Sequence, residues 1–484
     1  MVTINTNIGA IAAQANMTKV NDQFNTAMTR LSTGLRINAA KDDAAGMAIG
    51  EKMTAQVMGL NQAVRNATDG KNLVDTTEGA HVEVSSMLQR LRELAVQSSN
   101  DTNTASDRGS IGAESKQLIA EINRVAQDTT FNGMKILDGS FTNKQLQVGA
   151  DSGQVMKINV DSAAATDIGA FKVNSDVKAT ATAANGITVA VSTVITGSLG
   201  SATVTGAIGM TAKGMAGAIN TKTSETGVAA TAITMAKIDN YSTDATTVGM
   251  KINNVQMADT FIADKSDLSA LRDSINDISG QTGVTASFEG SDTSAIILTD
   301  TTGADIKVSA YTNNAVADTM DVTGLTKAGA SASGPLTVTS AAAVATVVGE
   351  VEMTSAKSFS VVGTAATDFF TAASNSADLS SVAEIDLTTA AGASDAIKVI
   401  DVALEKISQS RSNLGALSNR LDSTISNLTS ISTSVQAAKS NVMDADFAAE
   451  STNLARSQIL TQAATAMLAQ ANSSKQGVMS LLKG

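Results

Sequence analysis

Several of the residue types from which protein sites are built are absent from this sequence or nearly so. It has no cysteine and no tryptophan, one histidine (His81), one proline (Pro335) and only 2% aromatic residues. Without thiols it cannot form a disulfide, an iron–sulfur cluster or a thiolate zinc site, and a lone histidine does not complete a metal site or a catalytic triad. The scarcity therefore predicts a protein that is not an enzyme and needs no cofactor.

Positive charge and long apolar runs are also lacking. The formal net charge is −12, whereas a nucleic-acid-binding surface requires a basic stripe. No stretch of about 18 apolar residues is present to span a membrane, and Met1–Asn5 has neither the charged nor the apolar region of a cleavable signal. We therefore expect no nucleic acid and no membrane as a partner, and a cytoplasmic location unless export uses an uncleaved signal.

What the sequence does contain is a seven-residue apolar repeat near each end. The C-terminal series is Ile400, Ile407, Leu414, Leu421, Leu428, Val435 and Val442. The N-terminal series is Met53, Val57, Leu60, Val64, Ala67, Val74, Val84, Leu88, Leu91 and Ala95. Such a repeat keeps one face of a helix apolar over its whole length, so each helix must pack lengthwise against another. The two series predict an antiparallel coiled-coil rod made by both ends of the chain.

Capping and turn residues divide the N-terminal part into elements. A first helix is predicted from about Ile4, and a second from Ala44 to about Ser98, capped by Asp42 or Asp43. Three glycines are expected to weaken the second helix by about 1 kcal/mol each, namely Gly59, Gly70 and Gly79. A polar loop leads to a shorter helix whose apolar stripe is Ile111, Leu118, Ile122 and Val125. The turn residues of the following segment, 131–139, predict a hairpin.

The middle of the chain has a different composition, rich in alanine, threonine, serine, valine and glycine. Residues 218–230 align without a gap with residues 274–286, which lie 56 positions later. The alignment predicts a duplicated strand–helix–strand module, at about 180–240 and 245–311, and residues 312–385 give a weaker β signal. The whole is predicted to be α+β and multidomain: an antiparallel α-helical coiled-coil rod formed by both termini, with a mainly β, partly α/β, central insertion.

Two amphipathic arms lie outside the rod, whose C-terminal helix is predicted to begin near Ser394. The last arm opens at Asp444 and Asp446, carboxylates that we interpret as helix caps rather than a metal pair. Because isolated helices are marginal in water, residues 1–40 and 450–484 are predicted to be disordered in a monomer and to fold on assembly. The residues expected to drive polymerisation are Ile4, Ile8, Ile11, Phe24, Leu31, Phe447, Leu454, Leu460, Met467, Leu468, Leu481 and Leu482.

Short segments at both ends of the chain point to a known family. They are Ile4–Asn7, Leu31–Asn38, Lys41–Gly46, Thr76–Ala80, Leu88–Gln97, Phe131–Gly133, Leu414–Ala416, Asn419–Arg420, Asp444–Asp446 and Leu468–Asn472. Through these segments, which lie within about 1–150 and 395–484, the chain resembles bacterial flagellin. The central duplication is also similar to the repeat found in the middle of many flagellins.

The resemblance implies a secreted structural protein that polymerises into the extracellular helical filament used for swimming. It places residues 1–43 and 450–484 in an inner tube, residues 44–175 and 386–449 in an outer tube, and the 176–385 insertion on the surface. It also implies unfolded export through the flagellar type III apparatus. The implied partners are other copies of the chain, hook-associated junction and cap proteins, and an export chaperone that holds the C-terminal arm.

A Toll-like innate receptor recognises flagellins of this type, and the resemblance assigns its contacts to the segment Gln89–Leu94, with Gln97 nearby and Glu114 farther along the chain. The matching residues are Gln89, Arg90, Arg92, Glu93, Leu94, Gln97 and Glu114. From the residues alone, Arg90 and Glu93 are equally the solvated face of a helix. The nearby loop departs from the family pattern, because Gly109 and Gly112 replace residues that favour helix.

Three alternatives to a filament subunit stay open at this point. A hook–filament junction protein shares the same end architecture without building long filaments alone. A flagellin with a protease insertion requires a metal triad, which one histidine does not supply. A trimeric coiled-coil adhesin requires a membrane anchor, and the sequence shows none.

Overall fold

A computed structural model describes residues 6–182, 184, 186–187, 191–242, 244, 246–290, 292–313, 319–339, 343–363, 369–370 and 374–483. For residues 191, 289, 313 and 475–483 it describes the backbone without the side chain. The chain divides into two compact units. The first comprises Met1–Asp75, Asn143–Asn159 and Leu414–Gly484, and the second comprises Thr76–Thr142 and Val160–Asn413.

The helices lie at both ends of the chain and, as short pieces, in its middle. They are α1 Ile8–Thr33, α2 Ala44–Ser98, α3 Ala105–Asp128, α4 Ala212–Asn220, α5 Thr223–Thr226, α6 Ser269–Asp277, α7 Ser279–Thr282, α8 Ala390–Met443 and α9 Phe447–Lys483. A single 3₁₀ turn, Val382–Glu384, precedes α8. Helix α2 has the bounds that the sequence predicts, and the other long helices lie in the predicted segments but begin at other residues.

Short polar side chains set where the long helices begin. The Asp43 carboxylate accepts a hydrogen bond from the Gly46 N–H at 2.9 Å and so caps α2. Asp42 instead accepts bonds from the N–H groups of Asn38 and Ala39 and closes the preceding turn. Helix α1 begins later than predicted, at Ile8, because the Asn7 side chain caps it by accepting from the Ala10 N–H at 3.1 Å. The predicted start, Ile4, lies outside the described residues.

The last two helices show the same dependence on caps. Helix α8 begins at Ala390 rather than near Ser394, since the Thr389 hydroxyl already accepts from the Gly392 N–H at 3.0 Å. Asp446 accepts from the N–H groups of Ala448 and Ala449 and caps α9. Each accepted bond satisfies an N–H group that a helix start leaves without an intrahelical partner.

Helices α2 and α8 run antiparallel in each unit. In the first unit, Asn61 pairs with Ser432 and Lys71 forms a 2.6 Å ion pair with Asp422. A small apolar cluster of Leu60, Ala63 and Leu428 lies beside these contacts, with Val64 and Val435 packed against it.

In the second unit, too, residues later in α2 pair with residues earlier in α8. Glu78 forms an ion pair with Arg411, and Arg92 forms one with Asp401. Of the predicted heptad positions of α8, Ile400 and Ile407 in this unit and Leu414, Leu421 and Leu428 in the first unit are buried, whereas Val435 and Val442 in the first unit are only partly buried. The predicted antiparallel pairing of the N-terminal and C-terminal helices is confirmed within each unit by these contacts.

Two of the three glycines expected to weaken α2 are positions where another element lies against the helix. A hairpin of β3 (Lys144–Gln147) and β4 (Val155–Ile158) packs on α2 within the first unit. A Cβ at Gly59 would lie 3.1 Å from the Cβ of Ala150, and one at Gly70 would overlap the Leu146 side chain. Gly79 has open space around it. The glycines at 59 and 70 therefore give room for the hairpin, which the sequence-based expectation did not foresee.

Helix α3 and the hairpin that follows belong to the second unit. Thr104 and Asp107 form a reciprocal capping box at the start of α3. Its buried face is Ile111, Gly112, Ser115, Ile122 and Ala126, so the predicted Leu118 and Val125 lie at its margin and are only partly buried. The hairpin pairs β1 (Thr130–Phe131) with β2 (Met134–Lys135) through a turn in which Asn132 and Gly133 have φ of 50° and 76°.

The central region is built from antiparallel sheets. Its strands are β5 Gly169–Asn174, β6 Lys178–Thr180, β7 Val191–Thr196, β8 Ser201–Gly206, β9 Ala229–Asp239, β10 Thr246–Ile252, β11 Val255–Gln256, β12 Thr260–Ile262, β13 Thr285–Glu289, β14 Asp292–Asp300, β15 Ile306–Asn313, β16 Met320–Leu325, β17 Leu336–Val338, β18 Val344–Val348, β19 Glu350–Ser355, β20 Ser360–Gly363, β21 Asn375–Ser376 and β22 Asp378–Ser381. The sheet orders are β11-β10-β15-β18-β6 with β12 on β10, β13-β14-β9-β19-β5-β22 with β16 joining β9 to β17, and β21-β20-β7-β8.

The two aligned segments have the same elements and the same hydrogen bonds. In the first, α4 and α5 lead to β9, and in the second α6 and α7 lead to β13. The Asn220 side chain binds both the N–H and the C=O of Ala230, at 2.8 and 2.9 Å. Asn276 binds Ala286 in the same way, at 2.8 and 2.9 Å. Each module thus uses one asparagine to join its helix to its strand.

Candidate assembly surface

The two terminal arms pair with each other within the first unit. The Asn7 amide, at the start of α1, donates to the backbone carbonyl of Ala471, near the end of α9, at 3.3 Å. Arg30, near the end of α1, forms a 2.8 Å ion pair with Glu450, near the start of α9. The helices are therefore antiparallel.

The ion pair is the better buried of these contacts. Glu450 is 7% exposed, and hydrogen bonds from Arg30 and Asn453 lower the pKa of its carboxyl group. Among the described residues of α1, Ala27 alone is buried. Polar contacts therefore fix the register of the pair, while most of its apolar side chains are not fully buried.

Five of the nine apolar side chains that are predicted to drive polymerisation and that the structure describes are exposed to solvent. The exposed fractions are 65% for Ile8, 57% for Ile11, 73% for Phe447, 42% for Leu460 and 65% for Met467. Four others are partly buried, namely Phe24, Leu31, Leu454 and Leu468. Ile4 lies outside the described residues, and the side chains of Leu481 and Leu482 lie outside them too.

Two further apolar side chains of the arms are also exposed, Met28 at 53% and Ile459 at 66%. Met28 was not among the predicted residues, although its spacing of four from Phe24 and three from Leu31 places all three on one helix face. An open apolar groove of about 500 Å³ lies between the arms, lined largely by small residues of both helices, including Gly9, Ala12, Ala13, Ala463 and Ala464. Exposed apolar side chains that are grouped on two paired helices are typical of an interaction surface.

The residues assigned to receptor recognition lie in the second unit and are not equally accessible. Arg90 binds Glu114 across α2 and α3 at 2.9 Å and Glu93 along α2 at 3.0 Å, and all three side chains are about half exposed or more. Leu94 is 1% exposed, so its side chain packs in the core of the unit. Arg92 pairs with Asp401 at 2.6 Å, and the exposed residues Gln89 and Gln97 complete the set.

The single histidine is a core residue. His81 is fully buried between α2 and α8, with its Nε2 3.3 Å from the Ser410 hydroxyl and its Nδ1 without a hydrogen-bond partner. Burial lowers the pKa of the ring, which favours its neutral form. Across the described ranges, no group of three or more His, Asp or Glu side chains is arranged to hold a metal ion.

Within the part of the chain that the structure describes, no helix is both long enough and apolar enough to cross a bilayer.

Two family models and several relatives match this chain. "Bacterial flagellin N-terminal helical region" matches residues 4–142, and "Bacterial flagellin C-terminal helical region" matches residues 397–482. The B-type flagellin of Pseudomonas aeruginosa is 37% identical to the chain, with 100% of each covered. The chain belongs to the flagellin family. The resemblance carried by its terminal segments is thereby confirmed.

Other flagellins match along the full chain as well. Flagellin A of Vibrio cholerae is 33% identical with 100% of each chain covered, and a flagellin of Salmonella choleraesuis is 35% identical with 99% of each covered. Among solved structures, FliC from Burkholderia pseudomallei is 19% identical and covers 72% of this chain and 99% of its own, with a TM-score of 0.29. The family assignment rests on the sequence relatives.

Proposed function

We propose that this chain is the subunit of an extracellular helical flagellar filament and that its terminal arms drive polymerisation. The observation that carries the proposal is the apolar surface of α1 and α9, where Ile8, Phe447 and Met467 are each about two-thirds exposed or more. A filament buries this surface against other copies, and a contact between different surface patches that does not close on itself generates an open helix.

The energy available from these arms fits reversible assembly. Completing the burial of a half-exposed Ile, Leu, Phe or Met side chain contributes about 1–2 kcal/mol. The exposed apolar side chains of the arms therefore contribute on the order of 10 kcal/mol per subunit. Association costs about 4–15 kcal/mol in lost freedom. Because gain and cost are of similar size, removing two of these side chains is expected to shift the assembly equilibrium strongly.

The proposal extends to the export of the chain and to its binding partners. An unfolded, thiol-free chain passes a narrow type III channel without disulfides to reduce, and its C-terminal arm is the segment we expect an export chaperone to cover. In this proposal residues 1–43 and 450–484 form the inner tube, residues 44–175 and 386–449 the outer tube, and residues 176–385 the outer surface. Junction and cap proteins of the hook-associated class bind at the two filament ends.

The exposed Arg90, Glu93 and Glu114 support recognition of the monomer by a Toll-like receptor. Their ion pairs hold three charged groups at fixed positions on adjoining helices, which suits a charged partner surface. Leu94 acts from within, since its buried side chain positions the helix that carries Arg90. The solvent-exposed contacts are therefore assigned to Gln89, Arg90, Arg92, Glu93, Gln97 and Glu114.

Electron microscopy of purified monomer, after addition of filament seeds or a precipitating salt, tests the filament proposal. The variants are Phe447→Ala with Met467→Ala, a chain lacking 450–484, and a control, Phe261→Ala, which removes a 57% exposed phenylalanine from β12 in the insertion. Long filaments are expected from the intact chain and the control only. Equal polymerisation of the double variant would overturn the role of the arms.

The same experiment separates the alternative function. A hook–filament junction protein has the same terminal helices but does not extend into long filaments. If the full-length, helical monomer forms only short oligomers after filament seeds are added, the result would favour the junction protein over the filament subunit.

A further inference from the structure

Strand β19 carries two buried carboxylates on one face. Glu350 is 3% exposed and Glu352 is 5% exposed, and residues two apart in a strand point to the same side. A buried carboxylate is costly unless it is paired and hydrogen-bonded. The hydrogen-bond and ion-pair partners of these two carboxylates therefore indicate which parts of the structure they hold together.

Glu352 joins lysines from two different parts of the second unit. Its Oε2 atom lies 2.9 Å from Nζ of Lys327, which belongs to the segment between β16 and β17. Its Oε1 atom lies 2.8 Å from Nζ of Lys398 in α8. One carboxylate thus binds the insertion and the rod helix at the same time.

The surrounding groups complete a charged cluster of five side chains. Lys398 also donates to the Thr231 hydroxyl on β9 at 3.1 Å, and Lys327 also pairs with Asp395 on α8. The backbone N–H of Lys327 donates to Glu350 at 2.7 Å. The cluster therefore has three acidic and two basic groups, contributed by β19, α8 and the β16–β17 segment.

We propose that the ion pairs of Glu352 hold the central insertion against helix α8, and that protonation of this carboxylate in acid breaks this attachment. A protonated carboxyl group has one O–H donor and no charge, so it cannot neutralise two ammonium groups. Lys327 and Lys398 are then left in a site where their side chains are only 20% and 33% exposed. The separation of β19 from α8 restores their hydration.

The sign of the pH dependence follows from the two carboxyl groups. Burial opposes ionisation of Glu352, but Lys327 and Lys398 outweigh it and lower the pKa of this group to about 2. The stabilisation is therefore complete above the unfolded pKa of about 4.3 and is lost as the pH falls from there toward 2. Burial raises the pKa of Glu350, so this group takes up a proton first and relieves its repulsion with Glu352. Mild acid is thus expected to leave the insertion attached to α8.

The absence of native cysteines allows a direct distance measurement. Spin labels are attached to Ser201→Cys in the insertion and Ser408→Cys in α8, and the distance between them is measured in the full-length monomer. At pH 7 a narrow distribution is expected for the unsubstituted cluster and a broad one for Glu352→Gln. The open fraction should rise at least about tenfold, since removing one partner leaves buried charges unpaired. The control is Glu225→Gln, which breaks the exposed Lys222–Glu225 pair and should leave the distribution narrow.

A second variant keeps the test decisive if Glu352→Gln does not fold. Lys327→Met, Glu352→Leu and Lys398→Met together replace the ionic contacts by apolar ones, an exchange that is often neutral for stability. At pH 3, with helix content checked by circular dichroism, the unsubstituted cluster should broaden and the apolar triple variant should stay narrow. An unchanged distribution in folded Glu352→Gln, or equal broadening of the triple variant in acid, would overturn the proposal.

Discussion

The glycines of α2 allow a prediction in which the same substitution has opposite effects along one helix. Replacing glycine by alanine in a helix interior stabilises it by about 1 kcal/mol because the unfolded chain loses freedom. At Gly79 the added Cβ has no neighbour within 4 Å. Gly79→Ala is therefore expected to slow local opening of α2 by about fivefold.

At Gly70 the same gain is opposed by the hairpin. The added Cβ overlaps the Leu146 side chain, and overpacking of this kind costs about 1–3 kcal/mol. Gly70→Ala is therefore expected to be neutral or to destabilise by up to about 2 kcal/mol. At Gly59 the added Cβ lies 3.1 Å from Ala150, a tighter approach than ordinary contact, and a smaller loss is expected.

Amide hydrogen exchange of the monomer measures these effects locally, which matters because two units need not unfold together. Peptides from α2 report the helix, and peptides covering 143–159 report the hairpin. Faster hairpin exchange is expected in Gly70→Ala and unchanged hairpin exchange in Gly79→Ala. Stabilisation of α2 by the same amount in both variants, with the hairpin unaffected, would refute the packing argument.

Two further predictions concern buried and exposed charge. His81 contacts Ser410, and burial lowers the pKa of its ring. The charges of Glu78, Arg411 and Asp161 also act on the ring. The second unit should thus lose stability as the pH falls below about 6.5. Urea unfolding at pH 7.5 and 5.5 should show this drop in the native chain and not in His81→Leu; an equal drop in both contradicts it. Arg90→Ala should weaken receptor activation by monomer about tenfold or more. Arg124→Ala, which removes an exposed arginine of α3, should not, and an unaffected Arg90→Ala would remove the site.

Sequence reasoning located the elements whose causes are local. The bounds of α2 were predicted because Asp43 supplies a cap and a polar loop follows Ser98. The heptads identified five of the buried positions of α8, since their spacing alone fixes one helix face. The Asn132–Gly133 turn was predicted for the same reason, because its conformation depends on two adjacent residues.

The heptads predict that the two ends of the chain pair, but the contacts of individual side chains between distant segments could not be predicted in this way. Gly70 meets Leu146, which is 76 positions away, and nothing in either neighbourhood signals the pairing. Glu352 meets Lys327 and Lys398 at separations of 25 and 46 residues. Leu94 was assigned to a receptor contact by resemblance, whereas its burial follows from helix packing. In each case the fold decides which side chains come together.

Helices α1 and α9 are proposed to acquire their stable surroundings only when copies of the chain assemble. Hydrogen exchange of peptides from 8–33 and 447–474, compared between dilute monomer and seeded filament, tests this proposal most directly. The expected result is fast exchange of both arms in the monomer and strong protection in the filament, with α2 protected in both. Arms that are already strongly protected in dilute monomer, or that gain no protection in the filament, would contradict the proposal that assembly stabilises α1 and α9.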